Sequence, residues 1–96
     1  PLPEIYRKDG YLARQWQAVS LYGALYKGGA MTFAGAMTQY QSCQQRSGCI
    51  DVDDPEYSLD NTPEEGWSQL YEWLNKDPRT AQAVLRWVTD IRWQVR

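Results

Sequence analysis

Histidine is absent from the 96-residue chain. With it go the commonest metal ligand and the side chain that most often serves as general base near neutral pH. Cysteine is scarce, with Cys43 and Cys49 alone. Two thiols without histidine argue against a zinc site, and their spacing is not the C-x-x-C of a redox pair. A structural disulfide is the favoured reading. It requires a helix to stop between the two, and Ser47-Gly48 supplies that stop, because glycine tolerates the left-handed conformation that ends helices. So small a loop stabilises the fold by about 2 kcal/mol on the chain-entropy argument. The bond implies an oxidising compartment, periplasmic or extracellular. The first residue is Pro1 rather than Met, the start expected of a processed or trimmed chain.

Other absences narrow the chemistry. No G-x-x-x-x-G-K-[ST] phosphate loop is present, and Gly28-Gly29 opens no such arrangement. The serines at 20, 42, 47, 58 and 68 have no activating partner nearby in sequence. Glu64 and Glu65 are paired carboxylates, but a position in the first turn of a helix explains them by capping and the helix dipole. No enzyme and no cofactor are expected. Basic excess is lacking too: 10 Lys and Arg stand against 12 Asp and Glu, which argues against a nucleic-acid binder.

Aromatic residues are abundant by contrast, with five Trp and seven Tyr. A core of this size cannot easily absorb them all, so part of that surface is expected to meet a partner. Charge is segregated as well. Asp51, Asp53, Asp54, Glu56, Asp60, Glu64 and Glu65 fall in a window without Lys or Arg, whereas Arg79, Arg86, Arg92 and Arg96 follow Asp77 with Asp90 alone against them. Residues 51–62 begin like a calcium loop but lack glycine at the sixth position and glutamate at the twelfth. A solvated acidic loop over 50–61 is expected instead.

Along the chain, residues 1–9 read as an extended lead-in, and Asp9 as a cap for a helix starting near Tyr11. Leu12, Trp16, Val19, Gly23, Tyr26, Ala30, Phe33, Met37 and Tyr40 then step by four and three, the spacing of one helical face. Beside them Ser20, Ala24, Gly28, Thr32 and Ala36 form a row of small residues at a constant step of four. That row predicts close helix packing. A continuous helix to Cys43 would be roughly 50 Å long. Lys27-Gly28-Gly29 is the rival terminus, since two glycines cost a helix about 2 kcal/mol.

Thr62-Pro63-Glu64-Glu65 predicts a capping box with proline in the first turn, opening a short helix with Trp67, Leu70 and Leu74 on its apolar stripe. Asp77-Pro78 repeats the logic for a last helix carrying Ala81, Val84, Val88, Ile91 and Val95. No strand pattern stands out. The expectation is a single all-α domain. Its form is a long first helix, kinked at the glycines, against two shorter ones, or a four-helix bundle if the first helix breaks at Gly28-Gly29.

With catalysis set aside, binding remains. Arg86-Trp87 and Arg92-Trp93 are the candidate partner-binding residues, because Trp and Arg dominate protein interfaces when desolvated together. The expected function is a small non-enzymatic periplasmic or secreted protein that binds another protein as adaptor, assembly chaperone or inhibitor. Two alternatives stay open: a membrane-associated component using apolar residues 18–37, despite the cost of Lys27 at mid-span, and a structural homo-oligomer packed through the small-residue row.

Overall fold

The computed structural model describes residues 2–45 and 49–90, apart from the side chain of Trp87. Three helices and two strands follow one another as α1 (Tyr11–Tyr26), β1 (Gly35–Thr38), α2 (Tyr40–Gln45), α3 (Pro63–Asn75) and β2 (Trp87–Asp90), with a 3-10 turn at Pro55–Tyr57. The fold is therefore mixed, and the all-α expectation fails.

The first departure lies at the glycines. Helix α1 stops at Tyr26, Gly28 takes a left-handed φ of 87°, and the amides of Lys27 and Gly29 both donate to the Gly23 carbonyl. This closes the orphan carbonyl end of the helix. Neither the long helix nor the helical hairpin exists. The chain runs extended into β1, which pairs in parallel with β2 in the register Gly35↔Trp87 to Thr38↔Asp90. On its other edge, the Ile5 amide donates to the Met37 carbonyl at 2.7 Å and the Met37 amide to the Pro3 carbonyl at 2.8 Å. The extended lead-in thus makes a parallel bridge, Glu4↔Met37, on the edge of β1 away from β2.

The second departure follows Asp77. Its carboxylate accepts from the Arg79 amide, and the Thr80 amide returns to the Asp77 carbonyl, so cap and proline build a turn and not a helix. Beyond it Val84, Trp87, Val88 and Thr89 suit an extended backbone, and tertiary pairing with β1 decides the outcome. Asp90 then accepts from Thr38 Oγ1, the Tyr40 amide and the Gln41 amide. It caps α2 from fifty residues away in sequence.

Helix α3 begins as expected. Thr62 Oγ1 accepts from the Glu65 amide, and Glu65 Oε1 accepts from the Thr62 amide. The α1 start is also close to its expected place, although Gly10 occupies the cap position and Asp9 contributes by accepting from the Tyr11 amide at 3.0 Å. Residues 50–61 form the acidic loop, held where the amides of Asp53 and Asp54 donate to Asp51 Oδ1.

The core gathers Ile5, Ala13, Phe33, Ala36, Leu70, Leu74 and Leu85, with Trp16, Met31, Trp67, Tyr71 and Trp73 half-buried against it. Trp16 meets the Phe33 ring edge-on and Trp67 stacks on Tyr71. Fully buried Asn61 donates from its side chain to the carbonyls of Ile5 and Arg7, tying the lead-in to the start of α3.

Candidate partner-binding strip

Residues 82–88 carry the one part of the expected site that the structure describes. Val84, Arg86 and Val88 are exposed at alternate positions, whereas Leu85 between them is buried in the core. Ala83 and Thr89 are exposed too, so Leu85 is the inward anchor among the described side chains, while the two-residue step of an extended backbone puts positions 84, 86 and 88 on the same side. That step places an arginine between two valines on a single outward face.

The segment is firmly seated. Trp67 Nε1 donates to the Leu85 carbonyl at 2.7 Å, fixing it to α3. Gln82 works from the other end, where Oε1 accepts from the Phe33 amide and Nε2 donates to the Phe33 carbonyl. The side-chain amide so reproduces a backbone pairing just ahead of β1. Asn75 holds Gln82 in turn, accepting from its amide and donating to its carbonyl.

Two open clefts flank this strip. One, of about 430 Å³, lies between Thr32–Ala34 and Gln82–Arg86. The other, of about 380 Å³, lies between Val88 and the first turns of α3 at Pro63, Glu64, Trp67 and Ser68. Arg86 is the charge of the first cleft and Glu64 that of the second. The strip carries Arg86 between its two valines, and Glu64 stands across the second cleft from Val88.

Of the other expected site residues, Trp87 enters β2 through its backbone opposite Gly35, while Arg92 and Trp93 lie outside the described residues. Cys43 and Cys49 are bonded, with Cα atoms 5.6 Å apart, and both are buried. The disulfide points to an oxidising compartment. The small-residue row does not make one groove. Ser20 is fully buried and accepts from the Met31 amide, and Ala24 is half-buried. Gly28 and Thr32 are exposed outside any helix, and Ala36 is buried in β1. Residues 18–37 are accordingly divided among helix, turn and strand, and no helix among the described residues is long and apolar enough to cross a membrane. Gln82 and Asn75 have no motif that would single them out in sequence; their importance rests on partners dozens of residues away or across a turn.

The ionisable groups with displaced affinities sit at helix and turn starts. Burial, the largest influence on Glu65, would raise its carboxyl; hydrogen bonds from Lys8 and Thr62, with the Lys8 charge, outweigh it and hold the group below its ordinary value. Hydrogen bonds from the Arg79 side chain and amide hold Asp77 down to about 2. Among the described residues no group of three potential ligands is placed to hold a metal ion. No family model, no curated protein and no solved structure matches this chain.

Proposed function

We propose that the chain is a small, non-catalytic, disulfide-bonded domain, secreted or periplasmic, that binds another protein by accepting an extended peptide along Val84, Arg86 and Val88. The observation that carries the reading is the exposure of Val84, Arg86 and Val88 along an extended segment anchored in the core by Leu85. A rigidly seated extended stretch with two valines and an arginine turned outward offers an extended ligand apolar contact on each side of a charge. The flanking clefts give it pockets for side chains, and Arg86 at the centre with Glu64 beyond Val88 favours one ligand direction. An acidic residue would sit beside Arg86 and a basic one toward Glu64.

Arg86→Glu and Val88→Asp test this. Both side chains are exposed, so thermal unfolding should shift little. Affinity capture from the native envelope, with mass spectrometry of the bound proteins, should lose its specific partner with either variant. Retention of the same partner by the double variant at wild-type yield would place binding elsewhere.

A further inference from the structure

Helix α1 is turned the unexpected way round. Its inward face presents Ala13, Ser20 and Ala24, with Trp16 half-buried against the core. Its outward face presents Tyr11, Gln15, Ala18, Val19, Tyr22, Leu25 and Tyr26, all exposed and all within an arc of roughly 120° at 100° per residue, with exposed Arg14 at its edge. Val19 is 51% exposed, Tyr22 55%, Leu25 49% and Tyr26 69%. No charge occurs from Gln15 to Tyr26. A helix that sends Trp16 to the core yet leaves Val19, Tyr22, Leu25 and Tyr26 open to water has a second contact to make.

We propose that this face is an isologous interface through which two copies of the chain associate, α1 against α1, antiparallel about Tyr22. The positions are self-complementary about that point. A two-fold axis at Tyr22 sets each Tyr22 against its mate, Val19 against Leu25 of the partner subunit and Ala18 against Tyr26 of the partner subunit. A small or medium side chain thus meets a larger one on both sides of the axis, as an isologous contact requires. The same alignment leaves Arg14 and Lys27 out of the like-charge pairing that an axis nearer the middle of α1 would impose.

The area is sufficient for a reversible dimer. By the ordinary sizes of such side chains, Val19, Tyr22, Leu25 and Tyr26 leave roughly 450 Å² open per copy. Two copies with Gln15 and Ala18 at the rim approach the ~1,000 Å² at which specific association begins. Charge favours a second copy over other occupants. From Gln15 to Tyr26 the face carries no charge to select a complementary partner, and its bordering cations are Arg14, stacked over Trp73, and Lys27, too few for the basic flank with which interfacial helices hold anionic lipid. The interface shares no residue with the strip along Val84, Arg86 and Val88, so either assignment stands if the other falls.

Sedimentation equilibrium from a few micromolar to about 200 µM tests the interface, the range suited to a contact of this size. The wild-type mass should rise toward twice the monomer, and Tyr22→Lys should stay monomeric with an unchanged melting temperature. Oxidation of Tyr22→Cys should link two copies through the introduced thiol, since Cys43 and Cys49 are already bonded to each other. Gln15→Cys, on the same face but roughly 21 Å from its mate along the antiparallel pair, should not link. A wild-type chain monomeric across the whole range overturns the proposal. So does a dimer that survives Tyr22→Lys, or equal cross-linking at positions 15 and 22. A monomer that floats with phosphatidylcholine vesicles overturns it too, and assigns the face to lipid.

Discussion

Gly66 shows how much one side chain, or the lack of one, decides in this fold. It lies inside α3, where glycine costs about 1 kcal/mol against alanine, yet it is buried where α3 crosses the sheet. A Cβ at this position would come within 2.5 Å of Thr38 Cγ2 and 3.2 Å of the Ile5 carbonyl oxygen. Thr38 is held by Asp90 and Ile5 by its pairing with Met37, so neither neighbour moves freely. Overpacking in a fixed core costs about 1–3 kcal/mol, more than the helix gains from alanine. Gly66→Ala should therefore lose about 2 kcal/mol in stability, read as a lower urea midpoint at an unchanged slope. A midpoint equal to or above wild type would mean that the crossing yields. Nothing in the local sequence separates Gly66 from a tolerated helix glycine; its necessity arises from strands that arrive from both ends of the chain.

Among the elements, α3 depends on its first turn, and that dependence has a pH signature. Glu65 bonds the Thr62 amide and the Lys8 ammonium with the same oxygen, and its folded affinity for a proton lies below the unfolded value near 4.5. A carboxyl depressed in this way adds stability above its unfolded value and loses it as pH falls through the folded one. Glu65→Gln should thus be somewhat less stable at pH 7, by under about 1 kcal/mol for so exposed a pair. Its stability should also fall less steeply below pH 4.5. Asp77, displaced from 3.8 to about 2 by Arg79, adds an acid limb at lower pH that is common to both proteins. Urea midpoints measured from pH 7 to pH 3 decide the matter: parallel profiles would show that Glu65 titrates alike in both states.

The elements also differ in how far the sequence reveals them. The capping box of α3 spans four residues and the disulfide seven, so both were legible from local pattern. The end of α1 was readable as an alternative, because Lys27-Gly28-Gly29 suits a terminus. What followed it was not. A row at a constant step of four marks one face of a helix, but four is also even, so the same row marks one face of a strand. Thr32 and Ala36 fit both periods, and only β2, fifty-two residues further on, settles which applies. The last segment posed the same ambiguity, since Val84 and Val88 are spaced for a helix and composed for a strand. At the candidate strip Arg86 was readable by residue type, whereas the seat beneath it, made by Gln82 and Trp67, required the tertiary structure.

At the scale of the whole molecule, the two ends of the chain meet on β1. Residues 3–5 take one edge of β1 and β2 takes the other, so the sheet is assembled from contacts that are distant in sequence. In a helical bundle the last segment would add one packed helix to a core already formed. Here it completes the core: Leu85 is one of its buried members, Gln82 fixes Phe33, the Leu85 carbonyl receives Trp67, and Asp90 caps α2. A chain ending at Ala81 forfeits all four together and leaves β1 with an open edge and the Trp67 indole without its acceptor. Such a chain should retain helical far-ultraviolet circular dichroism from α1 and α3. It should lose the near-ultraviolet signal of its packed tryptophans and unfold in urea over a broad range without a sharp midpoint. A sharp transition with an intact near-ultraviolet spectrum would show instead that residues 2–81 hold a core of their own, with β2 added to a sheet that does not need it.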